Sequence, residues 1–236
     1  MAFSFAGDEM QSITDLANYA LAQIGEGFRI TDFDDDQSTE GQTCRDTYTG
    51  LIEEKLRERR WVRFTTKGPL ALVQLNPNPV FGFSYRYPSN CLDFHRILNG
   101  DRSGMNVPWV VFELSSDAQG LLILTDFGFT STVPGIPPGT VFGEWTLQNP
   151  PMNLWSADFK TAFAYEWAFI MAPSILKNSS PSTVGRLKME AARKWIRAKS
   201  TDYREQVRDK RPVSRIQRAR GSGRRFAARF NDEPAQ

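Results

Sequence analysis

The segment SITDLANYALAQIG, residues 12–25, carries the signals of an amphipathic helix and of both its ends. Ser12 and Asp15 have the spacing of a capping box, in which a serine hydroxyl binds a free backbone N–H of the first turn. Gly25 stands where a left-handed C-terminal cap is expected. The apolar residues between these ends recur at helical spacing: Ile13, Leu16, Ala17, Ala20, Leu21 and Ile24. The pattern predicts a helix with one face on a core.

A second helix is predicted to follow, beginning at Ser38 or Thr39 with a capping box from Thr39 to Gln42. Its buried stripe consists of Cys44, Tyr48, Leu51, Ile52, the stem of Lys55, and Leu56. The helix is expected to end near residues 61–64, where Trp61 and Phe64 fold back on the helices. Residues 1–63 are therefore predicted to form an N-terminal helix pair.

Residues 64–150 change to short apolar segments separated by Gly, Pro, Asn and Asp. Residues 81–87 alternate aromatic with small or polar side chains, which is typical of a half-buried strand. Further short strands are predicted at residues 92–98, 107–114, 121–125 and 141–147, and a long exposed loop at 127–138. The spacing predicts an antiparallel sheet or small sandwich inserted between helices.

Two more helices are predicted within residues 151–203. Ser156 is the expected N-cap of the first, and Pro173 should kink or end it. Its apolar face is expected to contain Phe159, Ala162, Phe163, Glu166 or Trp167, Ile170 and Met171. Pro181 suits the first position of the next helix. That helix should direct Val184, Leu187, Ala191, Trp195 and Ala198 inward, and Arg186, Lys188, Arg193, Lys194, Arg197 and Lys199 outward.

These segments predict an α+β fold. The N- and C-terminal helix pairs form a four-helix bundle, the β-rich part is inserted between them, and residues 204–236 form an extended basic tail. Few aliphatic residues occur in that tail, and residues 221–223, Gly-Ser-Gly, act as a flexible joint. Such a segment is expected to become ordered on a partner.

The net charge of +2 hides a strong segregation. Residues 1–185 contain 13 Lys and Arg against 21 Asp and Glu, which gives −8. Residues 186–230 contain 16 against 4, which gives +12, and the last six residues add −2. An acidic body with a basic C-terminal fifth can attract nucleic acid or an acidic surface on a neighbouring protein.

The sequence contains few of the residues that catalysis uses. His95 is the single histidine, so no HExxH motif or His-rich metal cluster exists, and no GxSxG, GxxxxGK[ST] or GxGxxG motif occurs. His95 near Asp93 is a candidate general base, but its apolar strand setting favours a structural histidine. Cys44 and Cys91 are expected to be buried thiols in a reducing compartment. We predict no catalytic residue, cofactor or metal, and a protein that is not an enzyme.

The acidic segment after the first helix invites a calcium hypothesis, because Asp32, Asp34 and Asp36 alternate along the chain. An EF-hand loop that begins at Asp32 requires Gly and Glu where this chain has Gln37 and Thr43. The carboxylates are better explained as a solvated loop that favours the positive end of the next helix.

No membrane partner is expected. The longest uncharged run, residues 127–143, is interrupted by three prolines and four glycines, so it does not suit a membrane-spanning helix. The N-terminal residues lack the basic region of a signal peptide.

Three blocks of the chain together resemble the head-to-tail connector (adaptor, tail tubular protein A-like) family of short-tailed bacteriophages. The first combines ALAQIGE at residues 20–26 with LRERRWVRF at 56–64. The second is YRYPSNCL at 85–92, where Asn90 replaces the acid usual in the family. The third is LWSADFKTAF at 154–163, followed by paired helices and an Arg-rich end. The likeness spans about residues 12–205.

The resemblance implies a structural virion protein of the neck or tail, assembled in the host cytoplasm. Proteins of that family form a ring, expected to be a dodecamer of this chain, between the portal protein and the tail nozzle protein. The ring surrounds the channel through which DNA leaves, without sequence-specific binding. A ring needs two different faces on each subunit, which suits a chain with segregated charge.

The basic tail is the predicted partner-binding site. Arginine suits bidentate pairing with carboxylates, and two phenylalanines four positions apart can anchor in an apolar groove. The expected contacts are Arg211, Arg215, Arg218, Arg220, Arg224, Arg225, Phe226, Arg229 and Phe230. The alternative hypothesis is a nucleic-acid-binding protein that places the same arginines on phosphates.

Overall fold

The structure is a computed structural model that describes residues 10–25, 27–73, 80–98, 107–113, 120–126, 128, 141–176 and 181–209. Four helices occur in these ranges: α1 (Ile13–Ile24), α2 (Thr39–Glu58), α3 (Ala157–Ile175) and α4 (Pro181–Asp209). The strands are β1 (Thr65–Leu70), β2 (Phe83–Arg86), β3 (Cys91–Leu98), β4 (Val110–Glu113), β5 (Leu121–Thr125) and β6 (Val141–Leu147). The α+β class is confirmed, with the strands lying between two pairs of helices along the chain.

Helix α3 is the centre of the helical part, because it contacts each of the other three helices. Its residues are apolar on more than one side, and the three successive residues 162–164 are all buried. A helix that is apolar all round must be surrounded by other elements. Trp61 and Phe64 fold back on α3 as predicted, with ring centroids 4.9 and 4.8 Å from that of Phe159.

Helices α1 and α2 are each capped at the N-terminus by a serine side chain. The Asp15 N–H donates to Ser12 Oγ at 3.0 Å, and the Ser12 N–H donates to Asp15 Oδ2 at 3.0 Å, which confirms the predicted capping box. For α2 the N-cap is Ser38, whose Oγ accepts the Gly41 N–H. The predicted box from Thr39 to Gln42 requires Thr39 to be the N-cap, and it is therefore wrong, because Thr39 is already the first helical residue. The third helical residue is Gly41, which has no side chain to complete a box.

The end of α1 differs from the expectation. Gly25 has φ −178° and ψ 160°, which is extended backbone rather than a left-handed cap. The left-handed conformation occurs two residues later, at Gly27 with φ 104°. The chain thus leaves the helix through an extended residue and turns only afterwards.

The strands form two antiparallel sheets of three, with orders β1-β6-β3 and β2-β5-β4. The five predicted strands are confirmed, although β2 and β4 are shorter than expected. Strand β1 is not among the predicted strands, and it contains Gly68 and Pro69, two residues that are unfavourable in strands. Its place at a sheet edge explains the proline, which has no N–H to donate. Of the predicted loop at 127–138, only residue 128 is described.

The two sheets share one apolar cluster, separate from the core around α3. Phe94 and Trp145 of the first sheet and Tyr85 and Ile123 of the second belong to it. Gly143 of β6 leaves room inside this cluster, since a Cβ there would lie 2.6 Å from the Phe94 ring.

The last two helices follow the predicted pattern with three differences. Pro181 begins α4, and Leu187, Ala191, Trp195 and Ala198 are buried. Ile170, predicted to face the core, is exposed, and Pro173 lies inside α3, two residues before its end. Helix α4 also continues to Asp209, through the first six residues assigned to the tail. Among the described helices, none has the length and apolar character needed to cross a membrane.

Candidate docking site at the carboxyl end of helix α4

The predicted partner-binding residues lie outside the described residues. They are Arg211, Arg215, Arg218, Arg220, Arg224, Arg225, Phe226, Arg229 and Phe230. The structure therefore does not place them relative to one another. It does show the part of the molecule from which they continue, the carboxyl end of α4.

Asp202 binds α4 to the chain that follows α2. Its Oδ2 lies 2.9 Å from Arg59 Nη2, and its Oδ1 accepts the Val62 N–H at 2.9 Å. The side chain is buried, and this burial raises the pKa of Asp202, against the opposing effects of the Val62 N–H and Arg59. A buried carboxylate with two partners fixes the position of its helix turn more firmly than an exposed ion pair would.

The next turn of α4 makes a second set of contacts. Arg63 pairs with Glu205 through two parallel bonds, from Nε to Oε2 at 2.9 Å and from Nη2 to Oε1 at 2.6 Å. The hydrogen bond from Arg63 lowers the pKa of Glu205, so this carboxylate is charged at neutral pH. Gln206 donates to the Arg60 carbonyl oxygen at 3.1 Å. We call the contacts of residues 202–206 with residues 59–63 the α4 root.

The N-terminus of α3 holds the preceding turn of α4. Arg197 Nε lies 2.9 Å from Asp158 Oδ1, and Thr201 Oγ1 donates to Asp158 Oδ2 at 2.8 Å. Asp158 is in the first turn of α3, where a negative charge is favourable. Four of the six lysines and arginines predicted to face outward thus contact the body. Besides Arg197, Lys199 pairs with Glu58, Arg186 donates to the Gln23 carbonyl oxygen at 3.2 Å, and Lys194 lies over the Tyr165 ring.

The α4 root encloses only a small cavity. Its walls include Trp61, Phe64, Phe159 and Asp202, and its volume is about 10 Å³. A space of this size holds about one water molecule. The side chains of the α4 root are therefore closely packed.

A second ionic cluster joins the helical part to the first sheet. Glu144 of β6 is only 1% exposed and accepts a hydrogen bond from Arg96 Nε at 2.8 Å. Arg60, which follows α2, also pairs with this carboxylate. Burial lowers the pKa of the Arg60 guanidinium, with Arg96 acting in the same direction. The segment 59–63 therefore contacts both α4 and the sheet.

The histidine considered as a general base lies at this sheet too. His95 Nε2 is 2.8 Å from Thr146 Oγ1, and His95 Nδ1 is 3.6 Å from Asp93 Oδ2. Burial lowers the pKa of His95, although Asp93 acts in the opposite direction. The structure thus brings His95 and Asp93 together, but one ring nitrogen is already occupied by a threonine of the neighbouring strand.

The two cysteine thiols have raised pKa values, and the acidic loop is held by hydrogen bonds of its own residues. Burial raises the pKa of Cys44 to about 12 and that of Cys91 to about 11, although Cys91 is only half-buried. Both are therefore protonated and poorly nucleophilic at neutral pH. In the loop, the Ser38 side chain donates a hydrogen bond to Asp36, and the backbone N–H groups of Thr31 and Ser38 donate to it at 2.9 and 2.8 Å; together these bonds lower the pKa of Asp36 to about 2. Within the described ranges, no three His, Cys, Asp or Glu are grouped to hold a metal ion.

The residues of the α4 root were missed from sequence because single ion pairs have no periodic signal. Their charges did contain a hint. Only four acids occur in the basic residues 186–230, and two of them, Asp202 and Glu205, are spaced one helical turn apart. The three arginines at 59, 60 and 63 form the only comparable basic group near the end of α2.

Comparison with models of known protein families finds none that matches the chain. A search of curated proteins likewise finds no match. The assignment of a function therefore depends on the residues and contacts described above.

Proposed function

We propose that this chain is a structural adaptor of a virion, a head-to-tail connector that joins a portal protein to a tail nozzle protein. Copies of the chain form a ring, with twelve subunits as the expected number, around the channel through which DNA leaves. The observation that carries the proposal is the α4 root, because it holds a fixed starting point for the Arg-rich segment that follows.

The electrostatics of the α4 root support a docking role. Arg59 and Arg63 neutralise Asp202 and Glu205, two acids of the last turns of α4. The arginines after residue 209 therefore have few acids nearby in sequence with which to pair. They remain able to pair with carboxylates of the portal, and Phe226 and Phe230 add apolar anchors.

The packing of the helical part supports a role as a rigid scaffold. Aromatic rings fill the space between helices, as where Trp155 lies 5.0 Å from Phe159 and 5.3 Å from Phe163, measured between ring centroids. Such edge-to-face packing makes a rigid interior. We include in the proposal that α1–α4 act as one four-helix bundle, the scaffold on which tail and sheets are presented.

The structure shows where to cut the chain to test the proposal. Truncation after Asp209 removes the predicted contacts and leaves the α4 root intact, whereas truncation after Thr201 also removes Asp202 and Glu205. Full chain and the 1–209 variant are each mixed with the purified portal ring and analysed by gel filtration with light scattering. We expect a stable complex for the full chain only, with equal thermal unfolding of both proteins. Equal capture of the 1–209 variant would refute the docking role.

The alternative, a nucleic-acid-binding protein, draws support from the outer face of α4, whose exposed cations continue the charge of the tail toward the body. Its test is retention of duplex DNA as a function of salt. A phosphate-binding tail predicts affinity that falls steeply with salt and disappears in the 1–209 variant. Absence of retention at low salt would leave the connector as the better explanation.

A further inference from the structure

The outer face of α4 carries a stripe of exposed apolar side chains. Met189, Ile196 and Tyr203 are 60%, 70% and 61% exposed and follow one another at seven-residue intervals. Seven residues make nearly two helical turns, so the three side chains lie in line. Gly185 and Ala192 fall in the same line. We call these five residues the α4 stripe.

Cations border the α4 stripe on both sides. Arg186, Arg193 and Arg204 follow one flank and Lys188 the other, and all four are exposed. Arg193 also pairs with Glu190 of the same helix at 2.9 Å, and Arg186 donates to the Gln23 carbonyl oxygen at 3.2 Å, so the charge complementarity rests mainly on Lys188 and Arg204. Large apolar side chains repeated at heptad spacing are typical of a helix face that packs against another helix. The bordering cations indicate that the opposing surface is acidic.

The part of the outer face of α2 from residue 46 to residue 53 has the complementary properties, although the exposed Arg57 follows one turn later. Asp46 and Glu53 are also seven residues apart, and the residues between them on this side are small: Thr49 and Gly50. Gly50 is the informative residue. Glycine is unfavourable in the interior of a helix, and a Cβ added to Gly50 would meet no atom within 4 Å. The fold of the chain itself gives no packing reason for this glycine.

We propose that the α4 stripe of one copy docks on the outer face of α2 of a second copy. Ile196 and its neighbours fill the shallow surface at Gly50, while the flanking cations meet Asp46 and Glu53. Both helices pack on α3 and turn these faces away from it, so the two faces of one chain cannot cover each other. The inference rests on the proposed function, because it identifies the subunit contact of the ring.

The two faces are different surfaces, so the contact is heterologous: each copy offers one face to its predecessor and the other to its successor. Contacts of this kind close into rings when the rotation between copies permits, and otherwise extend into filaments. Opposite charge on the two faces also disfavours a symmetric dimer through either face alone.

Charge reversal tests the contact in the full-length protein. One variant carries Lys188→Glu and Arg204→Glu, and a second carries Asp46→Lys and Glu53→Lys. Self-association is measured by sedimentation velocity at low salt over a concentration series. We expect each variant alone to associate at least about tenfold more weakly than the unaltered chain, and an equimolar mixture to recover association, since opposite charges then meet at every contact. Arg29→Glu with Lys67→Glu lowers the net charge by as much as the first variant, at positions away from both faces, and should have no such effect.

Gly50→Ala separates an interface role from a structural one. Replacing a solvent-exposed helical glycine should raise the thermal stability of the single chain. The same change should weaken association about tenfold if a second copy packs closely at this point. Unchanged association in Gly50→Ala, no recovery in the mixture, or a chain that stays monomeric throughout would overturn the contact. Portal capture without self-association would refute this inference alone, and self-association without portal capture would refute only the portal-docking role.

Discussion

The buried carboxylate of Glu144 offers the most direct test of how the helical part and the sheet are joined. Glu144→Gln keeps the size of the side chain and removes its charge. In the native protein this carboxylate is 1% exposed and binds both Arg60 and Arg96. The variant leaves two guanidinium groups without their anion, so we expect a loss of stability.

The magnitude follows from the exposure of the partners. A hydrogen bond to a charged group contributes about 1.5–3 kcal/mol, so two of them amount to roughly 3–6 kcal/mol. Glutamine retains one oxygen acceptor, and the side chains of Arg60 and Arg96 are 45% and 31% exposed, so water replaces part of what is lost. We therefore expect Glu144→Gln to lower the free energy of unfolding by about 2–3 kcal/mol, less than the full cost of stranding a buried charge.

Urea unfolding, followed by far-ultraviolet circular dichroism and tryptophan fluorescence, measures this change. A double-mutant cycle with Arg96→Met should give a coupling energy of about 1–2 kcal/mol between positions 96 and 144, because the two side chains are in contact. Glu113→Gln, an exposed acid at the end of an edge strand, is the matched control and should change stability by less than about 0.5 kcal/mol. A Glu144→Gln variant as stable as the control would refute the reasoning.

Three further predictions concern local features of the fold. Ser12→Ala should lower the free energy of unfolding by about 1 kcal/mol, seen in urea titration, because it removes the acceptor for the Asp15 N–H. Gly143→Ala should lower the free energy of unfolding by about 1–3 kcal/mol, because its Cβ would overlap Phe94. Gly185→Ala should be neutral or stabilising, because its Cβ meets no atom within 4 Å. Equal shifts of the melting temperature in the two variants would contradict this prediction. Because the pKa of Asp36 is lowered from 3.8 to about 2, its contribution is present above pH 4 and lost as the pH falls toward 2. Asp36→Asn should therefore flatten the acid side of the stability profile, and an unchanged slope there would show that the loop contacts do not matter.

Periodic and capping signals made much of the fold predictable. The α1 box at Ser12 and Asp15, the start of α4 at Pro181 and the five short strands all follow from local residue preferences. At one strand that was not predicted, a neighbour in space decided the outcome. Strand β1 forms despite Gly68 and Pro69, because β6 pairs with it along one edge.

The candidate site was harder to predict than the fold. The α4 root depends on Arg59 and Arg63 meeting Asp202 and Glu205, residues about 140 positions apart in the chain. Ion-pair partners so far apart produce no periodic pattern in the sequence. The buried Glu144 is similar, because its setting between Gly143 and Trp145 reads as an ordinary strand position until Arg60 is placed beside it. Charge balance suggested that such pairs exist, but the fold was needed to match them.

The central position of α3 has a consequence for synthesis of the protein. Helix α2 ends roughly 100 residues before α3 begins, so the apolar faces of α1 and α2 emerge from the ribosome long before their partner. At the usual rate of translation, about 5–20 residues per second, that delay is roughly 5–20 s. During this delay the nascent chain exposes the apolar faces of α1 and α2, so we expect it to bind chaperones. Slowing translation of the residues between α2 and α3 should therefore reduce the yield of native protein more than slowing translation before α2.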